Sequence, residues 1–280
     1  MDNGQRETQV SEIAADTMNN TAKKIYHRIV IKAGTSTLAY PTGNINLRQV
    51  EALIRVFADL KNSGKDIVFV TSGAVAVGRG LLGKTEQPSC VTEKQAYAAL
   101  GQIELMDIYK KEFVKYNHNV AQILMTRDVI ANPERRANVT NTLKTLLDWG
   151  VVPVINANDS VSIEQLDFDE NDTLSSVAAV LCEADLLVIL TDVDGLYDSN
   201  PATNPDARLL PVVKKITSEM VASAGEKGSA ASKGGMITKL EAAKIAMDSG
   251  IDTVIINGEN PDILYDLFEG KAVCTVFTAD

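Results

Sequence analysis

The chain has 280 residues, 45% apolar and 5% aromatic, enough to bury a substantial core in one large domain or two small ones. Its 27 Lys and Arg against 37 Asp and Glu leave a net charge of −10, which argues against a sequence-independent nucleic-acid binder. No run reaches the ~20 apolar residues of a membrane span, and three distant cysteines, Cys90, Cys182 and Cys274, fit a reduced intracellular protein better than a zinc site or a disulfide framework.

Residues 1–25 are polar, mixed in charge and without the apolar core of a secretory signal. A flexible N-terminal tail is expected there, followed by one continuous domain over 26–280. R-I-V-I-K at 28–32 reads as a strand and 33–36 as a small-residue turn. Val50, Leu53, Ile54, Phe57 and Leu60 fall at helical spacing within 47–63, with Gly64 as the stop. D-I-V-F-V at 66–70 is the next strand, running into Thr71, Ser72, Gly73 and Ala74. A helix over 94–116 (interrupted by Gly101), a strand over 120–125, a helix over 134–149 and a strand over 151–155 follow. A helix over 174–182, a strand over 186–190, a long loop, a helix over 236–249, a strand over 253–256 and a short helix over 263–268 complete the pattern. Repeated β-then-α units with strands apolar on both faces predict an α/β fold: a mainly parallel central sheet in a three-layer αβα sandwich.

The stretch V-V-P-V-I-N-A-N-D-S-V at 151–161 is the most informative. A buried strand delivers Asn156, Asn158 and Asp159 to its carboxyl end, where open α/β sheets bind ligands. With Asp169, Glu170, Asn171 and Asp172 further on, amides and carboxylates alternate. Such a set can hold both the ammonium and the carboxylate of an amino acid; the bland alternative is an Asn/Asp-rich turn. Four more segments sit at strand ends or helix starts. Lys32-Ala33-Gly34-Thr35-Ser36 offers a close backbone approach to phosphate, two hydroxyls and a lysine, without being a P-loop. Thr71-Ser72-Gly73-Ala74 offers a hydroxyl among small residues, but neither His27 nor His118 lies in a motif that would make Ser72 a nucleophile. Thr191-Asp192-Val193-Asp194-Gly195 suits a nucleotide or its metal. Finally, a glycine-rich loop carrying Lys233 runs into a helix near Met236, with Lys239 one turn in, a ready anion site. Together these segments describe one phosphoryl-transfer site.

K-A-G-T-S at 32–36, V-T-S-G-A at 70–74, I-N-A-N-D-S-V at 155–161, D-E-N-D-T-L-S at 169–175, L-T-D-V-D-G-L-Y at 190–197 and K-G-G-M-I-T-K-L at 233–240 resemble, in order, the motifs of the amino acid kinase family. Within it, I-N-x-N-D followed by D-N-D is similar to the glutamate 5-kinases. The likeness runs from about Arg28 to Phe277. It implies the amino acid kinase fold and ATP-dependent phosphorylation of the L-glutamate side-chain carboxylate, the first step of proline biosynthesis, in the cytoplasm. A carboxylate is already a nucleophile at pH 7, so the scarcity of histidine is no obstacle.

By the same resemblance Lys32 and Lys239 neutralise the transferring phosphate together with Mg²⁺. Ser72, Asp159 and Asn171 bind glutamate: Asp159 takes its ammonium, and Ser72 and Asn171 its carboxyl end, with Asn156 and Asp172 close by. Thr191, Asp192, Lys233, Gly234, Gly235, Met236, Ile237, Thr238 and Lys239 hold ATP, with Lys32 opposite. Either Asp172 or Asp192 orients the lysines or the metal, whose ligands stay unassigned. The implied partners are L-glutamate, ATP, proline as a feedback inhibitor and further copies of the chain, with neither nucleic acid nor membrane. Ala33 stands where the family often has Leu or Val, and Lys233 where it often has Thr, adding a charge beside the nucleotide. Many relatives carry a C-terminal PUA domain, for which no residues follow Phe277 beyond 280. The rival readings are an acetylglutamate, carbamate, aspartate or uridylate kinase of the same superfamily, or a non-catalytic sensor. A pure binder has no use for both Lys32 and Lys239.

Overall fold

Among the described residues eight strands form a single sheet: β1 (Arg28–Ala33), β2 (Asp66–Val70), β3 (Val120–Met125), β4 (Val152–Ala157), β5 (Leu186–Thr191), β6 (Val212–Val213), β7 (Asp252–Asn257) and β8 (Cys274–Phe277). The computed structural model describes residues 24–126, 128–161, 171–201, 203–225 and 235–279. The strand order is β3-β4-β2-β1-β5-β7-β8-β6, and every pairing is parallel except β7 with β8.

The helices are α1 (Thr35–Leu38), α2 (Leu47–Asn62), α3 (Ala74–Leu81), α4 (Val91–Val114), α5 (Asp128–Ala131), α6 (Pro133–Asp148), α7 (Asn171–Leu181), α8 (Ser218–Gly225), α9 (Met236–Met247) and α10 (Ile263–Phe268). Two apolar cores lie on opposite faces of the sheet. Ile29, Ile31 and Phe69 pack with α2, α4 and α10, while Val30, Val68 and Ile155 pack with α6, α7 and α9. The three-layer αβα arrangement expected from the alternating pattern is therefore present.

Local chemistry explains the helix starts. Asn46 caps α2 by accepting from the Gln49 N–H, and Asn132 caps α6 by accepting from Glu134 and Arg135, with Pro133 in the first turn. Gly64 follows α2 at φ +92°, a conformation side chains disfavour.

Several boundaries differ from the sequence reading. The turn at 33–36 contains the start of α1, because Leu38 is buried and holds the segment as a helical turn. The strand expected at 151–155 runs to Ala157, which places Asn156 inside the sheet. The helix expected from 174 begins at Asn171, so Asn171 and Asp172 occupy its first turn. Helices α3, α5 and α8 and strands β6 and β8 were not expected. Gly78 and Gly80 lower helix propensity enough to hide α3, yet these glycines make its packing possible. A Cβ on Gly78 would stand 1.9 Å from the Tyr97 carbonyl, and one on Gly101 1.9 Å from the Ala74 carbonyl. The glycine that interrupts the α4 pattern thus lets α3 and α4 touch backbone to backbone. The expected tail falls largely on 1–23, outside the described residues.

Candidate active site

Strand register brings the candidate residues to one level. Lys32 lies opposite Val70 and Ile189, Val70 opposite Ile155, and Thr191 opposite Asn257. Lys32, Ser72, Asn156 and Thr191 therefore crowd at the carboxyl ends of β1, β2, β4 and β5. The chain leaves β1 for β2 on one side and arrives at β5 on the other, so this is the crevice at the topological switch point.

Side chains alternate along β1, so Lys32 shares the face of Val30, the face covered by α7 and α9. There Lys32 Nζ lies 2.7 Å from Asp172 Oδ1, and Lys239 Nζ lies 3.3 Å from Asp172 Oδ2. The Thr238 hydroxyl donates to the same Oδ2 at 3.0 Å. Asp172 is 1% exposed and each lysine 8%, so two cations share one buried carboxylate. Burial by itself would push the Asp172 carboxyl up; Lys32 and Lys239, with hydrogen bonds from Lys32 and Thr238, outweigh it and hold it below the usual carboxylate range. Asp172 and Lys239 each sit in the first turn of a helix. The free N–H groups there favour anions, which suits both the carboxylate and an incoming phosphate.

One residue before Asp172, Asn171 opens an amide cluster. Its Nδ2 donates to the Thr71 carbonyl at 2.6 Å and to Asn156 Oδ1 at 3.0 Å. Asn156 donates in turn to Gln102 Oε1 at 2.8 Å. The Thr71 hydroxyl meets the Tyr109 hydroxyl at 2.6 Å, and burial pushes the Tyr109 hydroxyl well up, so it stays protonated. Ser72 is half-buried and pairs with the Thr35 hydroxyl at 2.9 Å, linking the turn after β2 to α1. Gly73, at φ +94°, turns the chain from Ser72 into α3. Asp159 is half-buried just past β4.

On the far side of β1, the Thr191 hydroxyl donates to Asp192 Oδ1 at 3.1 Å and Asp192 is exposed. Among the described residues Asp172, and not Asp192, contacts both lysines. Asn257 Nδ2 holds Asp194 Oδ1 at 3.1 Å, and the buried Thr275 hydroxyl accepts from the Leu196 N–H at 2.8 Å, which pins the segment after β5. Gly235, Met236, Ile237 and Thr238 lead into Lys239 at the start of α9. Lys233 and Gly234, like Asp169 and Glu170, lie outside the described residues.

The structure thus assembles Lys32, Asp172 and Lys239 into one triad and Asn156 and Asn171 into one amide cluster, both anchored on α7. Gln102, Tyr109 and Thr275 belong to the site's support and escaped sequence reasoning. For the first two a faint signal exists: polar groups seven residues apart on the otherwise apolar face of α4.

Residues 27–257 match the model of the amino acid kinase family. A glutamate 5-kinase of Clostridium perfringens is 49% identical over 262 residues, covering 92% of this chain and 97% of that protein. One of Enterococcus faecalis is 44% identical over 254 residues, 89% of this chain and 94% of its own. Among solved structures, UMP kinase from Ureaplasma parvum superposes with a TM-score of 0.64 at 16% identity, over 91% of this chain and 100% of that one. An isopentenyl phosphate kinase product complex from T. acidophilum gives 0.60 at 16% identity, over 89% and 99%. At such identity these two share the fold.

Proposed function

The chain belongs to the amino acid kinase family, and from that premise we propose that it transfers the γ-phosphate of ATP to the side-chain carboxylate of L-glutamate, giving L-glutamyl 5-phosphate and ADP, the first step of proline biosynthesis. The observation that carries this reading is the buried Lys32–Asp172–Lys239 triad beside a cluster of amides, in a chain about half identical to glutamate 5-kinases.

The glutamate carboxylate attacks the γ-phosphorus in line and the β–γ bridging oxygen leaves with ADP. No side chain has to remove a proton, because the nucleophile is already ionised. Lys32 and Lys239 draw together the negative oxygens of acceptor and phosphate, and Asp172 keeps both ammonium groups aimed at the crevice. Thr191, Asp192 and the loop through Lys233, Gly234, Gly235, Met236, Ile237 and Thr238 cradle the nucleotide. Ser72, Asn156, Asp159 and Asn171 hold glutamate. Mg²⁺ fits as an ion carried in on the ATP phosphates: among the described residues no group of three or more His, Cys, Asp or Glu stands ready to hold a metal. When bound it supplies further neutralisation of phosphate charge.

We read the catalytic unit as residues 26–280, working in the cytoplasm as a homo-oligomer. No helix among the described residues is long and apolar enough to cross a membrane, and Cys90, Cys182 and Cys274 are unpaired thiols, as a reducing compartment would keep them. The test is ADP release with glutamate, aspartate and acetylglutamate, each with and without proline. Glutamate alone is expected to support turnover, and proline to raise the apparent glutamate KM while leaving the ATP KM nearly unchanged. Turnover with acetylglutamate or aspartate instead would refute the acceptor assignment. Asp159→Asn is expected to raise the glutamate KM by the equivalent of about 1.5–3 kcal/mol, as loss of a charge-assisted contact to the ammonium would. Equal changes in the KM of glutamate and of ATP would remove Asp159 from that role.

A further inference from the structure

The backbone groups beside the buried amides of the acceptor site reveal which way each amide is turned. The Ala157 N–H can only donate, so the Asn156 atom 2.9 Å from it is Oδ1. The Thr71 carbonyl can only accept, so the Asn171 atom 2.6 Å from it is Nδ2, which also donates to Asn156 Oδ1 at 3.0 Å. Asn156 must then turn its own Nδ2 toward Gln102, whose Oε1 accepts at 2.8 Å. Gln102 is 7% exposed and Asn156 2%, so neither amide has water to turn to. Gln102 is in place for its carbonyl alone: its Nε2 is buried without a partner among the described residues. A lone buried donor is costly, and a site that tolerates one needs the other half of the amide. Two turns along the same face of α4, Tyr109 braces the Thr71 end of the relay.

We propose that Gln102 is a positioning residue for the acceptor site, locking Asn156 and through it Asn171, so that Asn171 shows the ligand only a carbonyl oxygen. Both N–H groups of Asn171 are already engaged, and nothing among the described residues donates to its Oδ1. An oxygen so presented takes a hydrogen-bond donor. Resting on the glutamate reading, the proposal assigns Asn171 to the α-ammonium of the acceptor, where the resemblance alone had assigned it to the carboxyl end. The relay then makes the site selective for a free amine.

The test compares wild type with Gln102→Met, which keeps bulk and removes the acceptor, and Gln102→Glu, which keeps an acceptor oxygen. The readouts are the glutamate KM, the ATP KM, kcat and the inhibition constant of glutarate, the same dicarboxylate without the amine. Gln102→Met is expected to raise the glutamate KM about tenfold, with the ATP KM and glutarate inhibition within about twofold of wild type. Gln102→Glu is expected to restore the preference for glutamate over glutarate. If Gln102→Met does not fold, Gln102→Ala removes the same acceptor without added bulk. Equal weakening of glutamate and glutarate, or an unchanged glutamate KM in a folded variant, overturns the proposal while leaving glutamate as the acceptor. A wild-type protein that makes no ADP with glutamate overturns the acceptor reading itself, and the proposal with it.

Discussion

Replacing Lys32 or Lys239 by methionine is expected to lower kcat for glutamate-dependent ADP release by about 10²–10³-fold, as for other preorganised transition-state contacts. Both ammonium groups sit within 3.3 Å of Asp172 and both lysines are buried at 8% exposure, so water screens the charges little. Phosphoryl transfer spreads negative charge over the transferring group, and Lys32 and Lys239 are cations that the fold places at the crevice floor. Methionine keeps length and apolar bulk, so the loss is one of charge. Glutamate KM should change much less than kcat, because the amide cluster is untouched. Each variant still pairs the remaining lysine with Asp172, which keeps the site from carrying an unpaired buried carboxylate. Steady-state kinetics on variants with wild-type circular dichroism decide the matter. Near-normal kcat in both would mean that the lysines serve stability alone.

Asp172→Asn should have the larger effect on stability. Asp172→Asn takes from both lysines the buried carboxylate they share, and breaking a buried pair from one side costs about 3–5 kcal/mol. Chemical denaturation of the ligand-free protein measures that loss. Added ATP supplies replacement anionic oxygens, so nucleotide should stabilise the variant more than wild type. A variant as stable as wild type without nucleotide would show that the triad contributes nothing to the fold.

The pH dependence follows with a definite sign. The folded Asp172 carboxyl is held below its unfolded value, so it binds its proton less readily in the native state. Its contribution is therefore complete above the unfolded value of about 3.9 and lost as pH falls through the lower folded value. Wild type should lose stability over that acid window more steeply than Asp172→Asn, which has no proton to gain there.

The sequence by itself determined the alternation of elements, and with it the layers. Short apolar runs such as 67–70 and 186–190, set between turn signals, read as strands buried on both faces, and the helical spacing in 47–63 reads as a helix lying on them. Placing Lys32, Ser72, Asn156 and Thr191 at or just past the carboxyl ends of strands was likewise enough to put them at one edge of a parallel sheet, because parallel strands share a direction. What the alternation left open was decided by contacts between distant segments. Asp172 and Asp192 are equivalent as sequence, each an acid near a strand end or helix start; only the packing of α7 against β1 and α9 selects Asp172 as the partner of both lysines. Gly101 reads as an interruption of a helix, since propensity counts backbone entropy and cannot count the close approach to another helix at Gly78. Gln102 reads as one polar residue in a long helix. Its role exists only because β4 delivers Asn156 to it across 54 residues of chain, and α7 delivers Asn171 to Asn156 across 15. Hydrogen-bond polarity is a property of that assembly, and no local pattern encodes it.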